Sequence, residues 1–145
     1  MSVYREQALI EAPVETIWEL IGDAKRHPEW WPRMIEVECE GLEEACTYKV
    51  IGKSPMGVVE NEMLVETLDG CRELSIRCMN TGMYCKWLLT EARDGTFIDA
   101  EFGMEPTTAG TRVFDVLAGK RYFRRWVGQS LEGLRKAATR QPTAA

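Results

Sequence analysis

His27 is the only histidine of this 145-residue chain, and it stands beside Pro28 in a polar corner. Acid–base chemistry needs a titratable group within hydrogen-bond reach of the proton it moves. A Ser/His/Asp or Cys/His nucleophile would therefore have to be built on that one imidazole. The carboxylates fall on the outward positions of alternating segments, so no catalytic constellation assembles around it. Five cysteines, Cys39, Cys46, Cys71, Cys78 and Cys85, are the other reactive side chains. The spacing of seven from Cys39 to Cys46, repeated from Cys78 to Cys85, matches no zinc pattern. An odd set without an export signal predicts free thiols rather than a disulfide framework. On an apolar wall Cys78 and Cys85 would have raised pKa values and stay inert. No glycine loop of the phosphate-cradling kind is present. These patterns imply no metal and no cofactor.

The elements that position such residues are legible from periodicity. Alternating or bounded apolar segments predict strands at 4–11, 34–40, 47–53, 58–68, 73–79, Met83–Ala92 and 96–105. Turn signals separate them: Gly41 to Glu44, Ser54-Pro55-Met56-Gly57, Asp69-Gly70, Asn80-Thr81-Gly82 and Arg93-Asp94-Gly95. In the second strand Ile35, Val37 and Cys39 read as the buried face. Between the first two strands Pro13 suits a first helical position, Ile17, Leu20 and Ile21 make an apolar stripe flanked by Trp18, and Gly22-Asp23 ends the helix. A second short element carries Trp30 and Trp31 between Pro28 and Pro32. From Thr111 to about residue 140 the period is helical, with Val116, Lys120, Phe123, Val127, Leu131 and Leu134 on one stripe, and Tyr122, Trp126 and Gln129 beside it. One strand, two short helices, six strands at hairpin spacing and one long helix argue an α+β fold with an antiparallel sheet.

The length fits one domain, 1–140, with 141–145 as a frayed tail. No apolar run approaches the ~20 residues of a membrane span, and the first ten residues lack a signal-peptide apolar region, so the cytoplasm is expected. Residues 1–106 carry 10 basic and 21 acidic side chains, a balance of −11, whereas residues 107–145 carry 8 and 2, a balance of +6. The acidic part would repel phosphate, which argues against nucleic acid. The basic terminal helix reads either as a solvated face above an acidic sheet or as a surface for anionic lipid or an acidic partner. Nothing in the pattern separates a monomer from a homodimer.

Several segments together carry a family resemblance. Ala12-Pro13 followed by Trp18, a short helix, Asp23 and then Pro28-Glu29-Trp30-Trp31-Pro32 resembles the START / polyketide cyclase-like (SRPBCC) superfamily, which shares the Bet v 1 helix-grip fold. Trp87 and Leu89 ahead of Asp94-Gly95-Thr96 resemble its W-x-L … G-T hairpin. Ser130-Leu131-Glu132-Gly133-Leu134-Arg135 is similar to its terminal S-L-E-x-L-K segment. The resemblance implies a curved seven-stranded sheet wrapped around the long C-terminal helix. One helix fills such a concave face only in part, which leaves a cavity between helix and sheet.

Strand alternation then names the inward wall. It comprises Tyr48 and Val50; Val59, Asn61, Met63 and Val65; Leu74, Ile76 and Cys78; Met83, Cys85, Trp87 and Leu89; and Ile98, Ala100, Phe102 and Met104. Phe123, Val127 and Leu131 close it from the helix, with Trp126 near the rim. Of these, Tyr48, Val59, Asn61, Met63, Ile76, Cys78, Cys85, Trp87, Ile98, Ala100, Phe102, Phe123, Trp126 and Val127 are the candidate ligand contacts. Residue by residue such stripes are more often plain core, and it is the fold that argues for a cavity. A wall of this kind suits a hydrophobic small molecule, lipid, quinone or polyketide, oriented by one or two polar groups, and methionines adapt to several shapes. Asn61 needs a partner for its amide, which Tyr48, backbone or a ligand would supply. The resemblance also implies an alternative, a polyketide cyclase or dehydratase whose pocket arginine, tyrosine or serine side chains shape a reactive chain. Candidates for those roles here are Tyr48, Asn61, Tyr122 and the rim residues Arg121 and Arg124; no arginine falls at an inward sheet position. A third reading is an interaction protein that docks through the basic helix, in transient contact with a membrane surface.

Overall fold

β1 (Val3–Ile10) pairs antiparallel with the last strand, β7 (Gly95–Met104), in a register that sets Ala8 opposite Ile98. The computed structural model describes residues 2–54 and 57–140; Pro55 and Met56 of the expected turn and the expected tail 141–145 lie outside them. β2 (Met34–Glu38), β3 (Thr47–Ser54), β4 (Gly57–Asp69), β5 (Glu73–Cys78) and β6 (Met83–Ala92) complete one antiparallel sheet of order β1-β7-β6-β5-β4-β3-β2. Hairpin neighbours in sequence are neighbours in the sheet, and only β1 crosses to the far edge. This is the helix-grip arrangement predicted from the strand and helix order.

Two sequence expectations shift, each for a local reason. A bulge between Met34 and Glu36 changes the β2 register, so Met34 is buried while Ile35 is 49% exposed, against its expected inward position. The terminal helix is also not uniform. It runs as α3 (Ala109–Phe114), a π-helical segment over Asp115–Gly119, and α4 (Lys120–Arg140). A π turn inserts extra residues and rotates everything on one side of it. The expected stripe therefore fails at its start: Val116 is 82% exposed and Lys120 is exposed. The buried line runs instead through Asp115, Gly119, Phe123, Trp126, Val127, Ser130, Leu131, Leu134 and Ala138. Asp115 fixes the π segment to the start of β1. Its carboxylate accepts the Ser2 backbone N–H at 2.8 Å, and its carbonyl accepts the Ser2 hydroxyl at 3.0 Å.

Between β1 and β2 the chain forms α1 (Val14–Ile21), a 3₁₀ turn over Ala24–Arg26 and α2 (His27–Trp30). Pro13 sits one position earlier than expected, at the N-cap, and Gly22 ends α1. This corner packs a stack of rings against the sheet. Trp31 lies 5.2 Å from Trp30, 5.4 Å from Trp87, 5.9 Å from Phe102 and 6.0 Å from Trp126, centroid to centroid. Such pairs contribute about 0.5–1.5 kcal/mol each beyond their buried area. Two indoles also donate to backbone: Trp30 to the Leu20 carbonyl at 3.0 Å and Trp126 to the Pro32 carbonyl at 2.9 Å. Gly133 lets α4 lie directly on the Trp30 carbonyl, where any Cβ would collide with it.

His27 is sealed under this stack, 5.0 Å from the Trp31 ring. Its Nε2 lies 2.7 Å from the Ile21 carbonyl, an acceptor only, so Nε2 carries the proton of the neutral ring. Burial pushes the imidazole pKa from 6.5 down to about 4, opposed by the Ile21 carbonyl and the Asp23 charge. Between those pH values the unfolded chain takes up a proton that the folded chain refuses. Stability should therefore be undiminished above pH 6.5, fall by about 3 kcal/mol in all as pH drops toward 4, and flatten below that for this group. Urea unfolding at neutral and acid pH tests this, because a His27→Gln variant keeps an N–H donor but cannot titrate. It should lose less stability in acid than the wild type; equal acid losses in the two proteins would count His27 out.

Candidate ligand cavity

The aromatic stack fills only one end of the concave sheet. At the other end, where β3 and β5 finish and β4 and β6 begin, lies a cavity of about 420 Å³. Its walls are Val50, Gly52, Lys53 and Ser54 of β3, Val59, Asn61 and Met63 of β4, Cys78 of β5, Thr81 after it, Met83 and Cys85 of β6, and Met104 of β7. Tyr122 and Trp126 of α4 form the roof, Thr108, Gly110, Thr111 and Phe114 of the α3 region border the mouth, and Arg33 and Met34 close the β2 side. A second hollow of about 290 Å³, between residues 11–14 and 91–95, is a shallow groove open to solvent.

The candidate contacts divide by position along the strands. Val59, Asn61, Met63, Cys78, Cys85 and Trp126 border the cavity. Tyr48, Ile76, Trp87, Ile98, Ala100, Phe102, Phe123 and Val127 are buried as well, but in the packed end of the same face. For Trp87 and Phe102 the reason is local: Trp31 is 5.4 Å and 5.9 Å from them, so the corner already occupies the space above these two. Among the rim candidates Tyr122 lines the cavity, whereas Arg121 and Arg124 are exposed on the outer side of α4.

Asn61 makes no side-chain hydrogen bond among the described residues, and the Tyr48 hydroxyl likewise finds no partner there. The amide thus remains directed to the cavity wall rather than tied to Tyr48. Burial raises the Tyr48 hydroxyl far above its ordinary range, with the neighbouring Cys85 and Cys39 adding to the shift. Burial also pushes the Cys85 thiol well up, assisted by Cys78, so it stays protonated at neutral pH. The Tyr122 hydroxyl is raised by burial, and the Arg33 charge partly offsets that. The described lining contains no carboxylate and no imidazole. Its ionised groups are two cations, Arg33 and Lys53.

Arg33 was not foreseen from the sequence, because loop residues carry no period. Its backbone is left-handed, at φ 77°, an unusual state for a long side chain. That turn brings its carbonyl 2.8 Å from the Lys53 backbone N–H. Gly52 makes the approach possible, since a Cβ there would stand only 3.1 Å from the same carbonyl. The Arg33 guanidinium then lies over the Tyr122 ring at 4.4 Å from its centroid. The one hint in the sequence was a cation placed directly after the proline-bracketed indoles.

Among the described residues no group of three or more His, Cys, Asp and Glu is arranged to hold a metal ion, and no helix is long and apolar enough to cross a membrane. No curated protein matches the chain. Solved structures share its fold at low identity. A START superfamily protein from Mycobacterium smegmatis is 11% identical with a TM-score of 0.79, covering 98% of this chain and 100% of that one. A protein from Nitrosomonas europaea is 13% identical with a TM-score of 0.75, over 97% and 96% of the two chains. The XoxI protein of Bacillus cereus is 16% identical with a TM-score of 0.73, over 97% of each. A sheet gripping one long helix, with an apolar cavity left between them, is the START-type architecture. The family model that describes polyketide cyclase / dehydrase and lipid transport proteins matches residues 1–139, and the chain belongs to that family.

Proposed function

We propose that this protein binds a hydrophobic small molecule, of lipid, quinone or polyketide type, in the cavity between the sheet and the terminal helix. The observation that carries this reading is the cavity itself: about 420 Å³ walled by methionine, cysteine, valine and aromatic side chains. That volume lies within the ~300–1,000 Å³ usual for small-molecule sites. Such a surface draws its affinity from removing apolar area from water, at about 25 cal/mol per Å². Asn61, Tyr122 and the threonines at the mouth supply the few polar contacts that fix orientation. Binding is favoured over cyclase chemistry because proton transfer at the lining would fall to Tyr122 and the thiols, and burial holds Tyr122 and Cys85 in their neutral forms.

A specific surface also supports contact with an anionic bilayer. Val113, Val116 and Leu117 are 57%, 82% and 78% exposed on the segment whose Gly110, Thr111 and Phe114 border the mouth. Arg112, Lys120, Arg121, Arg124 and Arg125 are exposed on the same stretch, and none joins an ion pair among the described residues. Apolar side chains bordered by snorkelling cations match the boundary between acyl chains and anionic head groups. Contact there would place the mouth against the lipid phase.

Native mass spectrometry of protein purified from its own host, followed by denaturing extraction, tests the binding reading. A stoichiometric hydrophobic compound is expected, and a polyketide in that role would favour the cyclase alternative. Val59→Trp and Met83→Trp place bulk from half-buried wall positions into the cavity. Each should cut uptake of the neutral fluorophore N-phenyl-1-naphthylamine by tenfold or so while leaving the far-UV circular dichroism unchanged. An empty wild-type protein that also ignores the fluorophore would overturn the reading. For the bilayer, co-sedimentation with phosphatidylcholine vesicles should need added phosphatidylglycerol. Val116→Glu with Leu117→Glu should reduce it by at least about tenfold. Equal sedimentation of the double variant, or no dependence on anionic lipid, would refute that contact.

A further inference from the structure

The cations at the mouth point to a narrower ligand class; this inference rests on the cavity-binding reading above. We propose that the ligand is an anionic amphiphile, a hydrophobic body ending in one carboxylate or phosphate group, and that Arg33 with Lys53 holds that group at the mouth. Three independent observations converge on it. First, the described lining is neutral apart from these two cations, and neither pairs with a carboxylate among the described residues. On the outer face of the sheet, by contrast, Arg5 reaches Asp99 and Glu101, and Arg77 reaches Glu66 and Glu105. Arg33 and Lys53 are therefore the charges that an anionic group would meet on entering this cavity.

Second, the backbone is bent to put Arg33 there. A left-handed conformation at a non-glycine residue is disfavoured and persists where the surroundings fix it. Here the Lys53 N–H to Arg33 carbonyl bond at 2.8 Å fixes it, beside Gly52. Third, the guanidinium is oriented. Its central carbon lies 4.4 Å from the Tyr122 ring centroid and the group also hydrogen-bonds the Tyr122 hydroxyl, which together limit its freedom at the mouth, where its remaining donors suit a planar or tetrahedral oxyanion. The apolar body would then extend past Asn61 toward Met63, Cys78 and Cys85, away from water.

The test is displacement of bound N-phenyl-1-naphthylamine by three amphiphiles with the same chain: dodecanoate, dodecyl phosphate and dodecanol. At low salt at least one of the anions should displace the fluorophore about tenfold more effectively than dodecanol. Whichever anion does so assigns the head group. Arg33→Gln should abolish that advantage while leaving dodecanol unchanged. Lys53 stands exposed on the rim, so Lys53→Gln provides a second variant with little risk to folding, and it should reduce the advantage in part. Dodecanol competing as well as both anions, or an advantage that survives both substitutions, would overturn this inference and leave the cavity-binding reading standing. Uptake of neither fluorophore nor amphiphile would overturn both.

Discussion

Everything in the lower half of this molecule depends on how the Trp30-Trp31 corner meets the helix. A curved sheet of seven strands offers more concave surface than one helix covers, and the corner decides which part is filled. Trp31 stacks among Trp30, Trp87, Phe102 and Trp126, and the Trp126 indole donates to the Pro32 carbonyl. α4 is thereby held down at that end, with Gly133 on the Trp30 carbonyl. Above Met63, Cys78 and Met83 the rings of Tyr122 and Trp126 roof the space without filling it, and the cavity is what remains. Close packing and open volume are two outcomes of one placement of aromatic side chains.

The same division sorts the electrostatics. Acidic side chains lie along the outward strand faces, where Arg5 and Arg77 pair with some of them. The cavity wall is neutral except for Arg33 and Lys53 at its mouth, and Arg112, Lys120, Arg121, Arg124 and Arg125 are exposed along the terminal helical segment. Burial reinforces this by keeping Cys85 and Tyr122 protonated, so no negative charge forms inside near neutral pH. An anion approaching this molecule is repelled by most of the sheet and attracted at the opening. Exposed surface charge of this kind is weakened by salt, while the stacked guanidinium is screened less.

Period carried most of the fold into view and only part of the site. Strands alternate, and hairpin turns have their own residues, so sheet order and inward faces were legible before any coordinates. The β2 bulge hid in that pattern, because Ile35 alternates correctly and is turned outward by one irregular residue pair. The π segment hid for the same reason: Val116 lies in phase with Phe123 on an ideal helix and out of phase on this one. Along the strands the difficulty was different. Alternation says which face a residue takes, but not how far the covering elements extend. Ile76 and Cys78 share a face and a strand, yet only Cys78 reaches the cavity. Arg33 had no period to betray it, since it follows from a turn rather than a repeat.

That turn links stability to recognition. Trp31 must enter the core, and its neighbour Pro32 must present a carbonyl to Trp126. Having met both demands, the chain still has to reverse into β2, and the left-handed step at Arg33 accomplishes this within one residue. Glycine would take such a conformation at less expense. The Lys53 N–H holds the arginine in that conformation, and its side chain comes to rest over Tyr122 at the cavity mouth. The residue that closes the aromatic corner also lines the mouth of the cavity. Loosening the corner would therefore both weaken the contact of helix on sheet and displace the cation at the cavity mouth.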